Sequence, residues 1–209
     1  MKKLLPLLLI GLMIFIRADG QTNAVSSTGD SKTKVETLVC IRHSEKPPGG
    51  LGQLSCRGLN RALALPNVLL PRYGRPQFVF APNPAEKVDS TNGYYYVRPL
   101  AAIEPTAIRC GLPVNTEFGF REIEGLEKEL GKPDYQNATV FVAWEHGMLE
   151  EFARQVIEHH GGDPAQVPYW PDGEYDIIYV FKITRDAGKE SFSFTIEHEG
   201  LNNLSDTCP

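Results

Sequence analysis

The sequence predicts an α/β fold with a largely parallel sheet and an antiparallel hairpin at its C-terminal end. Three observations point there. Short apolar, β-branched runs alternate with longer segments of helical periodicity through the first three quarters of the chain. Two of those runs end directly in a histidine-bearing segment, Arg42-His43 and Trp144-Glu145-His146. The last part holds two strand-like runs joined by a short polar stretch, which reads as a hairpin able to add antiparallel strands at an edge.

The elements follow in order. Glu36 to Ile41 is short, apolar and β-branched, a buried strand. Pro47-Pro48-Gly49-Gly50 breaks the chain into a loop. Ser55 suits a helix cap before Arg57, Leu59, Ala62 and Leu63, with Pro66 and Pro71 complicating that helix's end. Gln77 to Ala81 is a second strand, and Pro82 to Tyr94 a polar surface loop. Helical character runs from Arg98 to Arg109, with Pro105 expected to kink or split it and Gly111-Leu112-Pro113 to stop it. Ile123 to Leu130 is a short helix that Gly131 terminates. Ala138 to Trp144 is the clearest buried strand, and His146 to His159 has Met148, Phe152 and Val156 at helical spacing before Gly161-Gly162. Tyr175 to Ile183 and Phe192 to Ile196 are the closing strands, connected through Arg185 to Lys189.

With 209 residues, 42 % hydrophobic and 22 % charged, the chain suits one globular domain. A net charge of −5 argues against nonspecific nucleic-acid binding, which needs a phosphate-neutralising field. Any anion site must therefore be built locally. Lys2 and Lys3, the apolar Leu4 to Ile16 and small residues at Ala18 and Gly20 have the layout of a secretory signal peptide over residues 1–20. The alternative is an uncleaved anchor, for which the apolar stretch is short. Cleavage leaves no stable membrane insertion and a flexible polar segment at 21–34. Export to the periplasm or beyond permits disulfides. Cys40 reads as a buried thiol, while Cys56, Cys110 and Cys208 could supply one bridge of unassigned pairing. No metal-ligand spacing occurs, and His159-His160 suits a helix end better than a metal.

The chemistry gathers at the two strand ends. In open α/β sheets ligands bind beyond the carboxyl ends of the strands, so parallel strands would set His43 and His146 at one edge. Histidine can act as a covalent nucleophile. The neighbouring Arg42 offers a planar fork for phosphate oxygens. Arg42-His43-Ser44-Glu45-Lys46 resembles the Arg-His-Gly signature of the histidine phosphatase superfamily, the group of phosphoglycerate mutases and many phosphatases. Leu54-Ser55-Cys56-Arg57-Gly58 is similar to the Leu-Thr-x-x-Gly element that follows it. Arg98-Pro99-Leu100-Ala101-Ala102 is similar to the segment bearing the second phosphate-binding arginine, and Trp144-Glu145-His146-Gly147 to the second-histidine motif. The match runs in order from Val35 to about Ile157.

The resemblance implies a three-layer α/β/α sandwich with the mostly parallel sheet at its centre, over residues 35–200, followed by a tail at 201–209. It implies a phosphoric monoester hydrolase with His43 as nucleophile, with Arg42, Arg98 and His146 around the phosphoryl group, and with neither cofactor nor metal. The substrate would be a small phosphate ester or other phosphorylated molecule. Ser44 stands in place of the usual Gly, Tyr94 where a Ser is usual, and Ala102 where many members have Thr. Arg75, Arg109 and Lys87 are therefore rivals to Arg98. The proton donor is assigned to Glu122, which follows Gly111-Leu112-Pro113-Val114 at a spacing similar to that of the mutases; Glu117, Glu124 and Glu145 are alternatives. Glu45 and Lys46 form a local ion pair or line the entrance. The Tyr94-Tyr95-Tyr96 run packs in a cluster or stacks on substrate, and Gly49-Gly50-Leu51-Gly52, lacking the Lys-Ser or Lys-Thr of a P-loop, reads as a flexible loop at the site. A phosphomutase and a non-catalytic phosphate-binding or interaction module are the competing functions.

Overall fold

The computed structural model describes residues 33–88 and 93–209. The leader at 1–20 and nearly all of the polar segment after it lie outside the described residues. Five strands form one sheet: β1 (Lys34–Arg42), β2 (Phe78–Phe80), β3 (Thr139–Trp144), β4 (Ile177–Asp186) and β5 (Lys189–His198). Their spatial order is β2-β3-β1-β4-β5. β1 and β2 each run parallel to β3, whereas β4 runs antiparallel to β1 and to β5. Four strands therefore share one direction and only β4 opposes them. The hairpin turns at Ala187-Gly188, both at positive φ, and fills the far edge.

Alternation along the strands loads both faces of the sheet. Leu38, Cys40, Val140, Val142, Trp144, Tyr179 and Phe181 point to one side. There they pack on α3 (Ile123–Leu130) and α4 (His146–His159) through Leu126, Leu149 and Phe152. Val39, Ile41, Phe141, Ala143 and Ile178 point to the other side, against Leu65 and Leu69 of α1 (Cys56–Tyr73) and Ile103 and Ala107 of α2 (Arg98–Cys110). The result is the α/β/α sandwich expected.

Three prolines correct the reading. α1 continues through Pro66 and Pro71, and α2 runs unbroken through Pro105. Proline inside a helix costs about 3 kcal/mol. Burial of Ala62, Leu65, Pro66 and Leu69 along one stripe of α1, and of Ala102, Ile103, Thr106 and Ala107 along α2, outweighs that cost. The closing strands also extend further than their apolar cores, to Asp186 and from Lys189, because ladder pairing continues through exposed polar residues.

The tail after β5 is tied down rather than loose. Cys56, the first residue of α1, is bridged to Cys208. Asn60 Nδ2 donates to the carbonyls of Ser205 and Thr207, and Arg57 pairs with Asp206. Cys40 and Cys110 are buried free thiols. No described helix is long and apolar enough to cross a membrane.

Candidate active site

β1 and β3 run in register, with Arg42 opposite Trp144, so both strands end level. The His43 amide donates to the Trp144 carbonyl at 2.9 Å, extending the ladder by one step. The residues after β1 and those opening α4 thus emerge at the same sheet edge.

His43 is 2 % exposed. Its Nδ1 lies 2.8 Å from the Ser44 carbonyl oxygen. A carbonyl can only accept, so the ring proton sits on Nδ1 and Nε2 keeps its lone pair. Burial first, and then the positive fields of Arg98 and Arg42, hold the imidazole pKa down at about 3. At neutral pH the ring is uncharged with a bare Nε2.

Both guanidinium groups are buried. Arg42 Nη1 donates to the carbonyls of Glu174 (2.8 Å) and Pro171 (3.2 Å), while its Nε and Nη2 have no partner. Its Cζ lies 4.2 Å from the centroid of the Tyr175 ring. Arg98 Nη1 donates to the Gly50 carbonyl at 3.3 Å, its Nε is unpartnered, and its Cζ lies 4.7 Å from the centroid of the Tyr96 ring. Those two tyrosines also flank the imidazole, with centroids 6.0 Å (Tyr96, edge-on) and 6.1 Å (Tyr175) from it. Each arginine is thus backed by a ring that also confines His43.

His146 opens α4. Its Nε2 is 3.0 Å from Asp172 Oδ1. Its Nδ1 is 2.5 Å from Glu145 Oε1 but without hydrogen-bond alignment. Glu145 caps the helix by accepting from the Met148 amide at 2.8 Å. Burial alone would raise its pKa; His146 and the helix amides outweigh that and bring it down to about 2. Glu145 is therefore an ionised carboxylate whose field reaches both His43 and Arg42.

The other nominees lie elsewhere. Arg75 donates to the Cys110 carbonyl, Arg109 to Asn67, and Lys87 stands over the Tyr95 ring. Arg98 and Arg42 are the arginines whose fields reach His43. Glu122 departs from the expected place: its Oε2 accepts from the Gly119 amide of its own turn at 2.7 Å. With Glu117 and Glu124 it lines a hollow of about 650 Å³ that includes none of His43, Arg42, Arg98 or His146. Glu45 does not pair with Lys46. It takes a two-pronged bond from Arg61 Nε (3.0 Å) and Nη2 (2.8 Å), because Arg61 is buried in α1 and needs a counter-charge.

Two glycines set the frame of the site. A Cβ on Gly58 would lie 2.3 Å from the Glu45 carbonyl oxygen, so only Gly lets α1 approach the chain after His43. Gly52, at φ 68°, accepts from the amides of Val97 and Arg98, and a Cβ there would lie 2.0 Å from the Tyr95 carbonyl oxygen. The glycine-rich loop is thus anchored on the start of α2 and positions Arg98. Sequence reasoning did not nominate Asp172 or Tyr175 and did not separate buried Tyr96 from exposed Tyr94 and Tyr95. Only the adjacent tyrosine run signalled Tyr96.

No family model matches the chain, and no curated protein sequence does. Solved structures do match in fold. A mycobacterial glucosyl-3-phosphoglycerate phosphatase aligns with a TM-score of 0.52 at 14 % identity, over 78 % of this chain and 98 % of that one. A provisionally named phosphohistidine phosphatase, SixA, from Nakamurella multipartitia aligns with a TM-score of 0.51 at 15 % identity, over 78 % of this chain and 96 % of that one. The chain shares the fold of these two proteins. At these identities the likeness speaks of fold; what the site does is argued from its own residues.

Proposed function

We propose that this protein is an exported phosphomonoesterase working through a phosphohistidine on His43. One observation carries the reading. A neutral imidazole with a bare Nε2 lies within the fields of two buried guanidinium groups that still hold unpartnered N–H donors. That combination suits a nucleophile facing a tetrahedral oxyanion.

In the first step the Nε2 lone pair forms an N–P bond as the P–O bond to the leaving alcohol breaks. Arg42 and Arg98 donate to the equatorial oxygens, where transition-state charge spreads. His146 Nε2 exchanges Asp172 for a phosphoryl oxygen. In the second step water attacks phosphorus, the N–P bond breaks, and its electron pair returns to Nε2. Glu145, ionised beside His146, orients that histidine and receives the water's proton directly or through solvent. The proton for the leaving oxygen comes from solvent or from a carboxylic acid that swings into reach, Glu122 among them. Export is supported by the Cys56–Cys208 bridge, which persists in oxidising compartments.

The test is hydrolysis of a chromogenic phosphate ester by the mature protein without added metal. Turnover lost by about 10³-fold or more in His43→Ala, with acid-quenched label on His43 of the wild type, is the expected result. Oxyanion binding without turnover across a broad ester panel would instead assign a binding module. Phosphoryl transfer to an added acceptor in preference to water would assign a mutase.

A further inference from the structure

Tyr96 carries a buried group that the scheme above does not use. Its residue is 0 % exposed, locked edge-on against Phe120 at 4.9 Å and under the Arg98 guanidinium. Packing alone would explain a phenylalanine there. Instead a phenolic hydroxyl is present, and among the described residues nothing accepts its proton. An orphaned buried hydroxyl costs about 1–3 kcal/mol.

The groups around that oxygen locate it. The hydroxyl lies in the fields of Arg98, Glu145 and Arg42, the residues gathered around His43. Arg98 only donates, so it cannot take the phenolic proton. The O–H is left without an acceptor among the described residues, in a site whose other orphaned polar atoms include Arg42 Nε and Nη2, Arg98 Nε and Ser44 Oγ.

We infer that Tyr96 is a substrate-contacting residue whose O–H donates to an oxygen of the bound phosphoryl group or to the leaving oxygen beside it. This rests on the phosphatase reading and adds a neutral donor to the two arginines and His146. Burial holds the phenol pKa well above its ordinary value, so the proton stays in place across the working pH range. The hydroxyl donates a hydrogen bond and does not transfer its proton.

Tyr96→Phe tests this cleanly, because the ring that backs Arg98 and flanks His43 remains. Orthovanadate affinity by calorimetry, kcat/KM on an aryl phosphate and a thermal melt are measured together. Tyr95→Phe, exposed and adjacent, is the comparison that should match wild type. The expected result is that vanadate affinity and kcat/KM both fall roughly 10- to 100-fold, while the Tm is unchanged or higher because an unsatisfied buried hydroxyl is gone. Wild-type affinity and turnover in Tyr96→Phe would overturn the inference. So would a large loss of Tm, which would make the hydroxyl a structural anchor. If wild type binds neither phosphate nor vanadate, the phosphatase reading itself falls and this role with it. Binding by wild type with no change in the variant removes only the hydroxyl's role.

Discussion

Replacing Glu199 by Gln should remove a pH dependence from this protein's stability. Arg61 sits among three carboxylates: Glu45 at 2.8 Å, Glu199 at 2.6 Å and Asp176 at 3.7 Å. One guanidinium cannot neutralise three crowded carboxylates, and Glu199, 2 % exposed, is the one that burial pushes from an ordinary 4.5 up to about 8. Folding then takes up a proton wherever the unfolded carboxyl is ionised and the folded one is not. The associated stability is complete below about pH 4.5 and lost as the pH climbs through about 8. At about 1.4 kcal/mol per unit, the loss between pH 6 and pH 9 comes to about 2–3 kcal/mol. For a domain of this size that is roughly 5–10 °C in Tm. Gln keeps an acceptor toward Arg61 and has no charge to bury, so its stability should be flat over the same interval. Urea melts of both proteins at pH 6, 7, 8 and 9 provide the assay. Parallel curves for wild type and Glu199→Gln would refute the account of a carboxylate protonated by crowding.

Three further outcomes follow from the site. His43, with its pKa held near 3, should show no imidazole titration by NMR between pH 5 and 8; a midpoint near 6.5 would mean that the ring is neither buried nor in the field of the arginines. Glu145→Gln should lower kcat on an aryl phosphate by roughly 10²-fold, whereas Glu122→Gln, whose oxygen serves only the Gly119 amide, should stay within about threefold; the reverse order would restore Glu122 as the acid. Gly52→Ala should lower both the Tm and kcat/KM, since a Cβ 2.0 Å from the Tyr95 carbonyl must displace the start of α2 and Arg98 with it. An active, fully stable Gly52→Ala would show that the loop does not position Arg98.

The parts of this molecule written in local pattern were legible before any coordinates. α3 and α4 begin and end at the residues their periodicity indicates, Ile123–Leu130 and His146–His159, because apolar spacing and flanking glycines are local signals. Ser55 caps α1 for the same reason. What escaped was set by distant partners. Nothing near Glu45 in sequence announces Arg61, 16 residues away, or Glu199, which meets Arg61 across 138. The disulfide joins cysteines 152 residues apart. At the site, strand-end placement put Arg42, His43 and His146 at one sheet edge, where they lie, and the order of motifs pointed to Arg98, whose field reaches His43. Asp172 and Tyr175 reach it from the connection between α4 and β4, which has no motif of its own. The turn aims the Glu122 carboxylate at the Gly119 amide, a direction that spacing along the chain does not encode. Pro66, Pro71 and Pro105 misled in the opposite sense, since a local breaker was overruled by packing on the sheet.

The fastening of the last residues to the start of α1 has a practical consequence. Asp206 shares the rim of one hollow with Glu45 and Lys46, a few positions downstream of the nucleophile. Any polypeptide joined after Pro209 would therefore emerge beside the loop that follows β1 and leads into α1. A purification handle placed there would press on that loop, and a reporter dye at that end would sense its surroundings.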